Sequence, residues 1–435
     1  MRSISKKIQI WYMENPVTDL LPYLALAFIG YAFYNPALRF VPVDYDDLIL
    51  LSAAKNISNP FLFFIQDWGM GNFGFRPLHS LSLWLGYQLF GVSSGPNQLL
   101  NIFLHIAIIL LLYSFLRRMR TDSALAFLFS VMSLVSFYTF SPPIWVSDRP
   151  TLLVAFFLLI TLNHFARLDE KSKPNLPLIA VLSTLALLSK ESGLIVPLVS
   201  IIFLVLRYSF TKENILRLSA MALVILIYLG VRFTIFGFSA GVYDEAGYLF
   251  GVNYYENSSI LTGASRILVK ADNVLKNMIA IFLPIFNGQG RISLAGTWTN
   301  SLVLVVTTVC LSLLAFSKKM GVYQKLGLAL IVLNALVHFQ VFRYRILYLG
   351  QIGFCIFLAS SIKFSMDQKR KKLLALCIAA VLIFWNMHII GEDMHYMIQD
   401  RIETIQDPGF EESILASSNR IDPEVVSRII GKYRH

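Results

Sequence analysis

Charge is scarce in this chain. Only 14% of its 435 residues are Asp, Glu, Lys or Arg, too few to clothe a soluble protein of this length. Cysteine is nearly absent as well. Cys310, Cys355 and Cys377 all fall inside apolar runs, where a thiol behaves as a small hydrophobe, so neither a disulfide framework nor a metal-ligand spacing can be drawn from them. There is no internal repeat, heptad pattern or low-complexity tract, which argues against solenoids, coiled coils and an inverted-repeat transporter. The apolar runs show no strict two-residue alternation, and that excludes a transmembrane barrel.

What is present is apolar surface: 56% hydrophobic residues and a mean hydropathy of +0.63. The chain reads as an all-α polytopic membrane protein, because only helices satisfy their own backbone in lipid when barrels are excluded. Segments able to span lie near 19–37, 98–116, 123–140, 151–166, 176–188, 193–207, 216–236, 299–316, 325–342, 346–363 and 373–391, about eleven crossings. The first, preceded by Arg2, Lys6 and Lys7 and lacking a small-residue cleavage site, is expected to be a signal anchor.

The net charge of +11 does not suggest nucleic acid, since the basic residues stand in short clusters between apolar segments. Arg117 to Arg120, Arg167 to Lys173, Arg207 to Lys212, Lys318-Lys319 and Lys369 to Lys372 are topology signals that belong on the cytoplasmic side. An eleven-helix path with a cytoplasmic N-terminus and an outer C-terminus satisfies all of them. The stretches 77–91 and 274–287 are then interfacial or re-entrant helices packed on protein. The expected organisation is a transmembrane domain over 1–391, with outer loops at 38–97 and 237–298, and a short polar outer tail over 392–435.

The acids that do occur are concentrated. Asp44, Asp46 and Asp47 follow the first apolar segment within four residues, at the rim of a solvent that penalises ionised carboxylates. One of them suffices to cap the helix that begins near Leu48; the others exceed that need, and Asp46 or Asp44 is the better candidate for a general base acting on an acceptor hydroxyl. Arg76 precedes Pro77, an extended entry that aims the guanidinium toward the same loop, although a snorkelling arginine has the same pattern. Asn101 and His105, four apart on one helix face, read more simply as interhelical glue than as a site.

Ser147-Asp148-Arg149-Pro150 is a turn on the same predicted face as Asp46. Ser189-Lys190-Glu191-Ser192 interrupts an apolar run at that level, so Lys190 either pairs with Glu191 or neutralises a phosphate. Arg343 and Arg345, followed by Tyr348, fall outside against the positive-inside bias, which suggests an anionic ligand held by guanidinium forks. In the 237–298 loop, Tyr243, Asp244, Glu245, Tyr248, Tyr254 and Tyr255 form an aromatic, hydrogen-bonding set suited to sugar stacking or to an interfacial position.

In order along the chain, Tyr45-Asp46-Asp47, Phe75-Arg76-Pro77-Leu78, Asn101 to His105, Trp145-Val146-Ser147-Asp148-Arg149-Pro150-Thr151-Leu152-Leu153, Leu188-Ser189-Lys190-Glu191-Ser192-Gly193 and Arg343-Tyr344-Arg345-Ile346-Leu347-Tyr348-Leu349 resemble motifs of the GT-C superfamily of membrane glycosyltransferases. They are most similar to the membrane part of the protein O-mannosyltransferases and the transmembrane-and-tetratricopeptide O-mannosyltransferases. Two departures stand out: the family's Gly and Asp of the second outer loop are rearranged here into Asp148-Arg149-Pro150, and no tetratricopeptide array occurs in the sequence. The resemblance implies a GT-C fold and a sugar, mannose or another hexose, carried on a polyprenyl phosphate. It implies attack by an acceptor hydroxyl of a protein, glycolipid or glycan with inversion. The site residues that follow are Asp46 as base with Asp47 or Asp44 assisting, Arg76, Lys190, Arg343 and Arg345 on the donor phosphate, and His105, Asp148, Arg149, Glu191 and Tyr348 around the cavity. The location implied is a bacterial inner membrane or an endoplasmic reticulum membrane, with the site facing the periplasm, exterior or lumen. No cofactor is required by the pattern, although the acids suit a divalent ion. The rival readings are a transferase acting on glycolipid or surface polysaccharide, a transporter or flippase of lipid-linked sugars, and a non-catalytic scaffold; acids gathered at one rim, not mid-helix, favour chemistry.

Overall fold

The computed structural model describes residues 16–70, 74–168, 173–208, 211–237, 248–249, 252–253, 263–282, 320–339, 344–364 and 368–433. Among these, helices dominate, and the one ladder joins Tyr248–Leu249 to Val252–Asn253. The predicted span 299–316, most of the 237–298 loop including Tyr243, Asp244, Glu245, Tyr254 and Tyr255, and Arg343 lie outside the described residues.

The helices are α1 Pro16–Tyr34, α2 Tyr45–Asn56, α3 Pro77–Phe90, α4 Ser94–Arg118, α5 Ser123–Leu134, α6 Phe137–Ile144, α7 Arg149–Ala166, α8 Leu176–Ser189, α9 Ile195–Arg207, α10 Lys212–Phe236, α11 Gly263–Phe282, α12 Val322–Val337, α13 Tyr348–Phe364, α14 Gln368–Gln406, α15 Phe410–Ser417 and α16 Pro423–Tyr433. By length and composition, three described stretches suffice to cross a membrane: α4, Val146–Ala166 and α10. α8, α12 and Arg345–Ser361 are shorter apolar helices.

The stretch 123–140, expected as one crossing, is bent in the middle. α5 and α6 pass as a pair but bend by 60°, because Ser136 stops the first helix and caps the second, accepting from Tyr138 N. The bend brings Trp145 and the short 3-10 turn Val146–Asp148 back toward α2. A second interruption does similar work between α8 and α9. Lys190 is extended there (φ −163°, ψ 154°) and Glu191–Leu194 forms a 3-10 turn, whose Gly193 lies so close to α8 that an added Cβ would sit 2.1 Å from the Ala186 carbonyl oxygen.

One apolar core runs through α1, α4 to α9, α12 and α13. One close crossing is glycine on glycine: a Cβ on Gly353 would lie 2.8 Å from the Gly327 carbonyl oxygen, the kind of approach by which small residues bind helices together without a hydrophobic driving force. Large apolar side chains point outward, among them Leu21, Phe28, Leu216, Leu226 and Ile227, as lipid-facing helices require. α11 is turned inside out relative to a soluble amphipathic helix: Ile267, Leu268 and Leu275 are exposed, whereas Asp272, Asn273, Lys276 and Asn277 are buried, with an Asp272–Lys276 ion pair of 2.6 Å.

The stretch expected as an outer tail, 392–435, is largely helical and packs on the first loop. α14 runs through residue 391 without a break, and a second apolar cluster packs Ile405, Phe410, Val425, Val426 and Ile429 against Val41, Val43, Leu48, Ile49 and Leu51 of the first loop and α2.

Candidate active site

α2 starts at Asp44, whose backbone is extended (φ −67°, ψ 142°) but whose carboxylate caps nothing. That oxygen is used sideways. It accepts from the Trp145 indole N–H and forms an ion pair with Arg401 of α14. Asp47 turns the other way and is buried, accepting the Ser147 backbone N–H at 3.1 Å. Burial pushes its carboxyl up to about 7, the neighbouring Asp46 and Asp148 charges add to the rise, and the Ser147 bonds offset part of it. Asp46 lies between them on the first turn of α2 and is half-buried.

Asp148 connects these acids to the cations. Its Oδ2 accepts from Ser141 Oγ at 3.3 Å and stands 3.9 Å from an Arg345 terminal nitrogen. Arg345 also lies over the Trp145 ring, 5.1 Å from its centroid. Lys190 Nζ donates to Thr151 Oγ1 at 2.8 Å. Burial lowers the Lys190 ammonium to about 8; Asp148 opposes this, Arg76 and Arg345 add to it, and Glu191 opposes it. These mutual influences place Asp148, Lys190, Arg345, Arg76 and Glu191 in one electrostatic neighbourhood.

Arg76 is braced within it. Its Nε donates to Glu191 Oε2 at 2.9 Å, a terminal nitrogen reaches the same oxygen at 2.9 Å, and the guanidinium stacks 3.9 Å from the Trp68 ring centroid. Glu191 therefore pairs with Arg76 and not with the adjacent Lys190. Burial works against its ionised form, but Arg76 and Lys190 outweigh it and hold the carboxyl below the usual range.

Three sequence candidates are engaged in the interior. His105 and Tyr348 are both fully buried and bond to each other, Nδ1 to hydroxyl at 2.6 Å, with the second ring nitrogen 3.2 Å from the Leu134 carbonyl oxygen. Arg149 is also fully buried. Its Nε donates to Asn101 Oδ1 at 2.7 Å, one terminal nitrogen to the Ser82 carbonyl at 3.0 Å and the other to the Asn97 carbonyl at 3.1 Å. It pins α7 to α3 and α4. The polar atoms of these three face helix partners, as polar groups in a membrane interior must. Arg343 lies outside the described residues.

Two residues enter that the sequence reading passed over. Arg401 is one. The other is His79, fully buried with its ring 5.7 Å from that of Trp68 and with no hydrogen-bond partner on either nitrogen. Burial and the nearby Arg149, Arg76 and Lys190 keep it neutral, well below the usual histidine range. Its position one turn beyond Arg76 was the available signal. Among the described residues, no group of three or more His, Cys, Asp or Glu side chains is placed to hold a metal ion.

No curated protein matches the chain, and no solved structure does. A family model does: residues 76–231, which carry Arg76, Trp145, Asp148, Lys190 and Glu191 into this site, match dolichyl-phosphate-mannose-protein mannosyltransferase, and that part of the chain is accordingly similar to a family of membrane glycosyltransferases.

Proposed function

We propose that the protein transfers a sugar, mannose or another hexose, from a polyprenyl-phosphate donor to an acceptor hydroxyl, inverting the anomeric carbon. The observation that carries this is the meeting of two kinds of charge around Asp148: carboxylates of the first loop on one side, Lys190 and Arg345 on the other. The acceptor oxygen attacks the anomeric carbon as its bond to the phosphate oxygen breaks. The acceptor proton passes to a carboxylate, and the bonding pair leaves with the phosphate, where cations stabilise the charge that develops.

Asp46 is the base in this reading. Asp44 turns sideways to Trp145 and Arg401 and Asp47 is buried on the Ser147 amide, whereas Asp46, on the first turn of α2, is half-buried at the same loop. Lys190 and Arg345 receive the phosphate, joined by Arg343, while Arg76 braces Glu191 and the loop. The acceptor is a protein, a glycolipid or a glycan. The topology that goes with this chemistry is the eleven-crossing path, with the first loop and Arg345 on the outer or lumenal side of an inner or endoplasmic reticulum membrane.

The test is sugar transfer from radiolabelled polyprenyl-phosphate hexoses in membranes carrying wild type or Asp46→Asn. The variant is expected to lose activity by about 10² to 10⁴-fold. Equal transfer by both removes Asp46 as the base.

A further inference from the structure

The C-terminal helices reach into the first loop at one point that touches the acids. Arg401 is only 5% exposed. One terminal nitrogen donates to the Val41 carbonyl at 2.8 Å, the other pairs with Asp44, and the guanidinium lies 4.5 Å from the Phe40 ring centroid and 5.8 Å from that of Trp145. Separate ties hold α14 and its followers in place: Lys55 to Asp422 at 2.9 Å, the Asp422 N–H to Ser52 Oγ at 2.9 Å, and the apolar cluster beneath α2.

We propose that Arg401 is a positioning residue for the transfer site, holding the Asp44 carboxylate away from its own helix so that the first turn of α2 presents Asp46. An aspartate at the position before a helix ordinarily accepts from the second or third amide of that helix, here Asp46 and Asp47. Asp44 accepts from neither. Its oxygen is drawn sideways by Trp145 and Arg401, which leaves the amides at the start of α2 without a side-chain cap from Asp44. Without Arg401 the carboxylate swings back onto those amides, the turn rotates, and Asp46 leaves its line to the acceptor.

The inference rests on the transferase reading, and the experiment separates the two. In full-length purified protein, Arg401→Gln is expected to lower kcat by at least about tenfold with the donor KM within about twofold, because Lys190 and Arg345 still hold the phosphate. Arg401→Lys recovers part of that loss, and Arg401→Gln combined with Asp44→Asn is no worse than the worse single variant. Arg428→Gln, which removes an exposed pair with Glu424, keeps wild-type rates. Amide exchange at Asp46 and Asp47 slows about fivefold or more in Arg401→Gln as the carboxylate takes up capping. Wild-type kcat in Arg401→Gln, additive losses in the double variant, or unchanged or faster exchange overturns the inference. Should wild type transfer no labelled hexose, the transferase reading falls, and the exchange measurement alone decides the role of Arg401. If Arg401→Gln does not fold, the same comparison is made with Arg401→Lys, which keeps a charge but not the fork that bonds Val41 and Asp44 together.

Discussion

Asp47 carries an unusual burden for a carboxylate at a loop start. Its carboxyl titrates near 7 in the folded protein against about 3.9 in an unfolded chain. The folded state therefore holds its proton to higher pH, and stability falls as pH rises from about 4 to about 7, then levels off. Asp47→Asn can still accept from the Ser147 amide but has no charge to bury. Thermal unfolding in detergent should show the variant gaining on wild type across that interval, by an amount on the order of a few kcal/mol; a constant difference across the interval would mean that Asp47 is ionised throughout. Lys190 has the opposite bias: burial lowers its ammonium to about 8, where half of it is deprotonated, which suits a cation whose partner is meant to arrive and depart.

The residue scale also shows why only part of the site could be read from the chain. Asp46, Asp148 and Lys190 stood out because ionisable groups are rare in apolar surroundings, and rarity is visible without coordinates. Arg76 and Glu191 stood out for the same reason, but their pairing did not, since 115 positions separate them. His105 and Tyr348 shared the signal of function and are bonded to each other; a polar residue inside a membrane protein is equally conspicuous whether it serves a ligand or a neighbouring helix.

Among elements, the informative ones are those that break. α5 and α6 interrupt one expected crossing, and the Lys190–Leu194 stretch separates two others; each break carries a charged residue to the site on an irregular turn. Hydropathy registers such breaks poorly because the flanking residues remain apolar. The Gly193 contact makes the second break a testable hinge of the site. Gly193→Ala puts a methyl 2.1 Å from the backbone oxygen of Ala186, which cannot yield as a side-chain tip would, so the turn must move. Transfer is expected to fall by tenfold or more, about the loss a 1 Å displacement of positioning groups brings, while the helical content by circular dichroism stays that of wild type. Unaltered kinetics would show that the turn tolerates the shift.

At the scale of the whole molecule, the sequence spoke clearly about class and poorly about closure. A helical membrane protein follows from composition, and the resemblance to membrane glycosyltransferases from short motifs in order. The stretch after 391 reads as a short polar outer tail, since Asp393, Asp400, Glu403 and their neighbours suit water as well as they suit a protein face. Its apolar positions, Ile405, Phe410, Val425, Val426 and Ile429, only acquire meaning against Val41 and Leu48, more than 350 residues upstream. Deleting residues 392–435 should therefore leave an inserted but inactive protein whose first loop is cleaved faster by added protease; full activity in that truncation would show the contact to be dispensable.

The contact between Arg401 and Asp44 joins two positions that leave the ribosome far apart in time. A ribosome has delivered the first loop to its side of the bilayer long before it reaches codon 401, so during synthesis the acids wait without their partner. On the positioning role proposed for Arg401, a polypeptide that stops before codon 401 lacks the side chain that turns Asp44 away from its own helix.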